Sequence, residues 1–243
     1  MLNLNRKDER YMKYFGEGLG EQHNELGRFI RKKDRHEDSV LAFLALHEKL
    51  HLSKMSSSEP NEIDTLLNDM SPWEYRIMPT AKDETIAWSL WHITRIEDLT
   101  MSILIACSAQ LFDYQWKMKM NASISDTGNA LSDDEIMQLS RELNIVELLA
   151  YRNAVGKRTR EIVNDLATGD MKRKVSASSL DRIKLEGGVT EHKDSVWLLD
   201  YWGKKDVAGL LLMPPTRHLI MHLNDCSKWK QQIRTKQKYF RVE

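Results

Sequence analysis

The stretch that decides the fold lies near the C-terminus and reads Arg217-His218-Leu219-Ile220-Met221-His222-Leu223-Asn224-Asp225. Its two histidines are four positions apart, which places both imidazoles on one face of an α-helix. Leu211, Pro215 and Trp229 share roughly that face, so the pair lies on the stripe that points into the protein. Buried imidazoles need partners, and a divalent metal ion would accept a lone pair from each. We therefore expect a helix over 215–236 that carries two metal ligands inward.

Three further amphipathic segments predict the rest of the fold. Apolar residues recur at helical spacing over 38–55 and over 83–112, and again from the capping box Ser132-Asp133-Asp134-Glu135 to about 166. Helix breakers are few, with 11 Gly and 5 Pro. Four long helices with mostly short connections predict an all-α four-helix bundle with extra short helices. The shorter helices are expected over 63–70, 194–202 and 204–213.

The pattern also divides the chain. The amphipathic helices begin at Asp38, so the predicted bundle covers residues 38–236. Residues 1–37 are polar and are interpreted as an N-terminal extension. Residues 237–243 are interpreted as a basic C-terminal tail.

Composition excludes several classes of function. Lys plus Arg is 36 and Asp plus Glu is 36, so the formal charge is zero and gives no general case for nucleic acid or an anionic membrane. A basic C-terminal run, Lys228 to Arg241, leaves a nucleic-acid contact as a disfavoured alternative. No apolar run reaches the roughly 18 residues that span a bilayer. Because the chain has two cysteines and no apolar signal core at its start, we expect a soluble cytoplasmic protein.

A third histidine lies in the second predicted helix. His92 falls in the middle of its apolar stripe, one turn after Trp88 and one turn before Ile96. Helix bundles build metal sites from side chains on facing helices, so His92 could meet His218 and His222 in the interior. Three protein ligands with an open fourth position are typical of catalytic zinc, whereas structural zinc is usually closed by four ligands. The predicted metal ligands are His92, His218 and His222.

The pair His47 and His51 leaves the ligand set open. These histidines are also four positions apart, near the middle of the apolar stripe of the first predicted helix. They could line the same cavity or supply a competing ligand. The alternative is that they are polar residues at the end of the bundle.

Neighbours of the site have open roles as well. Asp225, close to one turn beyond His222, could accept a hydrogen bond from a ligand N–H or be an exposed carboxylate. Cys226 could become a ligand if the helix rotates. Tyr151 and Arg152 of the third helix could reach the cavity. No catalytic base is evident on the histidine stripes.

Two segments resemble the DinB-like superfamily of metal-binding four-helix bundles: Ala87-Trp88-Ser89-Leu90-Trp91-His92-Ile93 and Arg217-His218-Leu219-Ile220-Met221-His222-Leu223. In that family, one histidine of the second helix and an H-x-x-x-H pair of the last helix bind a divalent metal, commonly nickel or zinc. The resemblance assigns these roles to His92, His218 and His222 and covers about 38–236. The long segment 170–213 and the pair of histidines in the first helix depart from the family pattern.

The resemblance implies a metal-dependent enzyme that activates a low-molecular-weight thiol or water for S-transfer or hydrolysis of a small molecule. A metal held by three neutral imidazoles keeps its positive charge, which lowers the pKa of a bound thiol or water. The thiol would come from outside, because the chain has only two cysteines. The alternative is a non-catalytic dimeric binding or assembly module with a vestigial metal site. A homodimer is expected, and the sequence contains no phosphate-binding loop and no dinucleotide-binding turn.

Overall fold

The computed structural model describes residues 14–235 and 238–242. Two π-helical segments, Leu99–Ile105 and Met213–His218, extend two of the bundle helices. In chain order the helices are α1 (Leu19–Phe29), α2 (His36–Glu48), α3 (Glu62–Leu67), α4 (Ile86–Asp98), α5 (Tyr114–Met120), α6 (Asp133–Glu142), α7 (Ile145–Asn164), α8 (Ala177–Leu185), α9 (Lys193–Gly203), α10 (Val207–Leu211) and α11 (Leu219–Thr235).

Four of these helices form the bundle. Helix α4 packs against α7 and α11, while α2 packs against α7 and against the π-helical turn before α11. Every residue of α4 is buried. A helix that is covered on all sides lies at the centre of the packing, and here it carries one of the predicted ligands. The prediction of an all-α four-helix bundle with extra short helices is confirmed.

Polar side chains buried on α4 are held by a dense hydrogen-bond network. Asp98 Oδ2 accepts from the hydroxyl of Tyr151 at 2.6 Å and from the backbone N–H of Phe112 at 2.9 Å. Arg95 Nη1 donates to the same Tyr151 oxygen at 2.9 Å. Buried charges are tolerated when they are paired and hydrogen-bonded, so this network fixes α4 against α7.

The single helix predicted from Ser132 to about 166 is wrong, because the chain breaks it in two. The predicted capping box is present, with both Ser132 and Glu135 engaged, and α6 begins there. Helix α6 has only ten residues, and Asn144 then begins a new helix, since its side chain accepts hydrogen bonds from the N–H groups of Val146 and Glu147. A side-chain cap of this kind satisfies the free donors of a helix start and stabilises the break.

The first two predicted helices are shorter than expected. Helix α2 ends at Glu48 rather than near 55, and the Asn61 amide donates to the carbonyls of Glu48 and His51 at 3.4 and 2.8 Å. The helix expected to reach 112 ends at Ile105. Cys107 then adopts φ 52°, a left-handed conformation that a right-handed helix cannot continue through.

The N-terminal segment packs on the bundle. Phe15 and Ile30 are buried together with Leu19 and Leu26 of α1. Residues 1–13 of the predicted extension lie outside the described residues, as do 237 and 243 of the predicted tail. Within the tail, Met78 N donates to Arg241 O at 3.1 Å, so the described part returns to the bundle.

The segment 170–213 contains α8, α9 and α10, of which α8 packs against the π-helical segment Leu99–Ile105 and α10 against Met213–His218. Helix α9 lies where a helix was predicted over 194–202, and α10 falls within the predicted 204–213. In the described part of the chain, no helix combines the length and apolar character needed to cross a membrane.

Candidate metal centre

The structure brings His92, His218 and His222 together in the interior of the bundle. The Nε2 atoms of His92 and His218 are 3.2 Å apart. The three ring centroids lie 5.0, 5.0 and 4.6 Å from one another. One ring nitrogen from each residue lies within 4.8 Å of the other two, which is close enough to share one ion.

Hydrogen bonds on the far side of the rings orient two of these imidazoles. His92 Nδ1 lies 2.8 Å from Thr127 O. A carbonyl only accepts, so Nδ1 carries the proton and the lone pair of neutral His92 is on Nε2. His222 Nδ1 lies 3.2 Å from Ser89 Oγ. Metal-binding histidines are usually oriented by such hydrogen bonds. Thr127 and Ser89 make them here, whereas the sequence had offered Asp225 as a candidate acceptor.

The donor set fits a divalent transition-metal ion. Burial lowers the pKa of His92 to about 4 and, together with the neighbouring His92, lowers the pKa of His222 to about 3. Burial and the two neighbouring rings hold the pKa of His218 well below its ordinary value. All three rings are therefore neutral near pH 7. Zinc–nitrogen bonds of about 2.0–2.1 Å separate tetrahedral ligands by about 3.3 Å, close to the spacing of the two Nε2 atoms.

Four consecutive backbone carbonyls, those of residues 125–128, hold the site face of α4. Each accepts a hydrogen bond from a side chain of that helix, and the donors in order are Arg95 Nε, Trp91 Nε1, His92 Nδ1 and Trp88 Nε1, at 3.0, 3.0, 2.8 and 3.1 Å. Trp88 also stacks on His92, with centroids 4.7 Å apart and planes 9° apart. The loop therefore fixes the ring of His92 in two ways: Thr127 O accepts its N–H, and Gly128 O holds Trp88, which stacks on it.

Gly128 is the position in this loop that tolerates no side chain. Its φ is +73°, and an added Cβ would lie 2.9 Å from Trp88 Nε1. Sequence reasoning gave the loop no role. The only signal was the turn Asp126-Thr127-Gly128, in which the Asp126 carboxylate accepts from Gly128 N at 2.7 Å.

A cavity of about 220 Å³ adjoins the histidines on the side covered by α9. Both His92 and His218 form part of its wall. Trp197, Leu198, Tyr201 and Trp202 of α9 contribute much of the remainder, together with Ile96, Asn129, Met213 and Pro214. The sequence alone does not place these tryptophans beside the candidate ligands.

His47 and His51 form a second group, with Glu97 of α4. His47 Nε2 is 2.8 Å from Glu97 Oε1, and His51 Nε2 is 3.3 Å from Glu97 Oε2. Thr159 donates to Oε1 at 2.7 Å. All three members of the group are 0% exposed, so the view of the two histidines as polar residues at the bundle's end is wrong. Their ligand atoms also lie within 4.8 Å of one another.

The second group differs from the three-histidine group because it contains an ionised carboxylate. Burial lowers the pKa of His51 to about 3, so that ring is neutral. Burial acts to raise the pKa of Glu97, but contacts with His51 and His47 outweigh it and hold the carboxylate ionised. In the described chain neither Nδ1 atom of the two histidines has a hydrogen-bond partner. Glu97 was missed in the sequence because it lies off the apolar stripe of its helix.

The remaining candidates have other contacts. Tyr151 belongs to the Asp98 network, and Arg152 donates to Leu50 O at 2.7 Å. Neither is among the residues that line the cavity, so the option that they reach it is wrong. Burial raises the pKa of Cys226 to about 12, which keeps its thiol protonated, and it belongs to neither group of candidate ligands.

Comparison with known families agrees with this arrangement. A family model described as the DinB superfamily matches residues 57–225, more than half of the chain. This chain belongs to the DinB superfamily. The matched region contains His92, His218 and His222, and the family membership predicted from the residues is confirmed. No match is found among curated proteins.

Proposed function

We propose that this DinB protein is a metal-dependent enzyme whose ion, zinc or nickel, is held by His92, His218 and His222. The observation that carries the proposal is the set of three neutral imidazoles facing one another beside a cavity. Neutral imidazole is a ligand that suits both metals. Because the protein supplies three ligands, one position stays open for a reactant.

The proposed reaction is S-transfer or hydrolysis of a small molecule. A divalent ion held by these residues would lower the pKa of a thiol or water bound to it, and would so supply a nucleophile near neutral pH. The chain's residues supply the setting: Thr127 O and Ser89 Oγ orient the rings, and the apolar wall of the cavity limits access of bulk water.

The thiol, if one is used, comes from outside the chain. Cys226 is buried, and its high pKa of about 12 excludes a thiolate at neutral pH. Cys107 is exposed and is not part of the cavity wall. An external thiol would reach the histidines through the cavity.

Metal analysis of the untagged chain tests the proposal. We expect about one equivalent of zinc or nickel per chain, and none in His218→Ala, because two imidazoles do not complete the site. His36→Ala is the matched control, since this histidine of α2 contacts Leu166 O and is not part of the three-histidine group. If His218→Ala still holds one equivalent, the assignment is wrong. Thiol transfer to electrophiles, measured on the loaded wild type and the same variants, tests the reaction.

A further inference from the structure

The cavity wall has a composition that restricts what can bind. Trp197, Leu198, Tyr201 and Trp202 occupy positions i, i+1, i+4 and i+5 of α9, so they share one helix face, which is directed at the histidines. Leu198 and Trp202 are almost fully buried and anchor that face. Trp197 is 47% exposed and therefore borders the solvent side of the cavity.

The wall contains no acidic residue, lysine or arginine. Among the described residues that line the cavity there is no Asp, Glu, Lys or Arg. The charged residues of α9 point elsewhere, since Lys193, Asp194 and Asp200 are exposed. A charged group held in the body of the cavity, away from the ion, would lose its hydration without a counter-ion from the wall, whereas an apolar group there would be stabilised by burial.

Asn129 contributes a neutral polar group to this wall. Thr127 Oγ1 donates to Asn129 Oδ1 at 3.0 Å, which holds the carboxamide and leaves its N–H donors for a ligand. The volume of about 220 Å³ is below the roughly 300–1,000 Å³ of pockets for drug-sized ligands. The space suits a small molecule with an apolar body and at most a few polar atoms.

We propose that the cavity beside His92 and His218 is the substrate subsite for a small, uncharged, mainly apolar molecule, aromatic or branched aliphatic. The molecule lies against Trp197, Tyr201 and Trp202, with its reactive end toward the histidines. This inference rests on the proposed function, because it names the substrate class of the same site. It excludes an occupant whose charged group lies against the wall of α9, away from the ion.

A matched pair of thiols tests the substrate class: 4-methylbenzyl thiol, which is uncharged, and 4-carboxybenzyl thiol, which carries a carboxylate at the same position. Binding is measured on the cobalt(II)-loaded full chain by thiolate-to-metal absorption, and on the metal-free chain by calorimetry. We expect the uncharged thiol to bind at least about tenfold more tightly in both forms, since burying a charge without a partner is costly. Equal binding, or tighter binding of the carboxylate, would overturn the proposal.

Two tryptophan variants test the location. Trp197→Glu places a charge at the cavity mouth and should weaken binding of the uncharged thiol by about tenfold or more. Trp73→Glu is the matched control, because Trp73 is also 47% exposed but is not part of the cavity wall. Trp197→Phe should retain binding. Unchanged affinity in Trp197→Glu, with the fold intact by circular dichroism, would overturn the location.

The two proposals fail separately. If the wild-type chain binds no cobalt(II), the metal-dependent function fails, and calorimetry on the metal-free chain still decides the substrate class. If cobalt(II) binds but the two thiols bind alike, the metal centre stands and the apolar subsite is wrong.

Discussion

Two groups of buried histidines in one bundle have different surroundings. In the first, His92, His218 and His222 face one another and adjoin a cavity. In the second, His47 and His51 face the carboxylate of Glu97, and all three are 0% exposed. His218 and His222 are four residues apart, and so are His47 and His51, although His51 lies past the end of α2. The partners of the ring nitrogens, rather than the spacing, separate the two groups.

The hydrogen bonds of the ring nitrogens show which group can bind a cation. His92 Nδ1 donates to a carbonyl, so its Nε2 offers a lone pair to a cation. In the second group, Nε2 of His47 donates to the Glu97 carboxylate at 2.8 Å. A cation at this nitrogen would have to displace a hydrogen bond between two fully buried side chains. The second group is therefore best understood as a hydrogen-bonded cluster that ties α2 and α7 to α4.

The largest expected effect separates the two groups by metal content. His92→Ala should lose the bound metal completely, whereas His51→Ala should retain about one equivalent, because His92 Nε2 has a lone pair free for an ion while His47 Nε2 already donates to Glu97. Metal-to-protein ratios of the two purified variants check this. Loss of metal in His51→Ala, with the helical circular dichroism unchanged, would show that the second group takes part in the site.

Removal of the carboxylate in the second group should affect stability rather than metal content. Glu97→Ala should lower the free energy of unfolding by about 3–5 kcal/mol, because it breaks a buried, charged hydrogen-bond cluster. Urea unfolding of the zinc-loaded protein measures the change. Glu37→Ala is a suitable control, since this residue of α2 is exposed and a surface carboxylate contributes about 0–1 kcal/mol. A change under 1 kcal/mol for Glu97→Ala would contradict a structural role.

A smaller effect is expected from the loop that orients His92. Gly128→Ala should weaken metal affinity by about 10- to 100-fold, the usual effect of disturbing the groups that orient a ligand. Its added Cβ would press on Trp88, which stacks on His92. Competition with a zinc chelator measures the affinity.

Two other glycines show whether backbone strain or contact with Trp88 causes the loss of metal affinity. Gly187 has φ +70° with nothing within 4 Å of an added Cβ, so Gly187→Ala tests backbone strain alone. Gly169 has open space at its Cβ and no positive φ, and should tolerate alanine. If Gly187→Ala weakens metal binding as much as Gly128→Ala does, contact with Trp88 is not the cause.

The smallest effect is expected at Cys226. This thiol lies one turn past His222 and would be a ligand only if α11 rotated, so Cys226→Ser should leave the metal content unchanged. Because burial raises its pKa to about 12, iodoacetamide at pH 8 should modify the exposed Cys107 and spare Cys226. Mass spectrometry of the alkylated native protein counts the adducts, and two adducts per folded chain would contradict this environment.

The sequence predicted what depends on local periodicity. The spacing of His218 and His222, and the apolar stripe around His92, were enough to place these three residues together inside a helix bundle. The capping box at Ser132 was also found, since its partners are three residues apart. Local patterns of this kind need no knowledge of distant contacts.

The features that the sequence did not predict depend on contacts between residues that are far apart in the chain. Glu97 is buried because His47 and Thr159 reach it from other helices, and no local pattern shows that. The break at Asn144 competes with a helical pattern that continues on both sides. The arrival of Trp197 beside His218 depends on how the segment 170–213 folds back over the bundle.

Anomalous X-ray diffraction from crystals of the zinc- or nickel-loaded protein, at the absorption edge of that metal, tests the central claim most directly. The account predicts one strong peak between the imidazoles of His92, His218 and His222, and no peak beside Glu97. A peak between His47, His51 and Glu97 with none at the three-histidine group would contradict it.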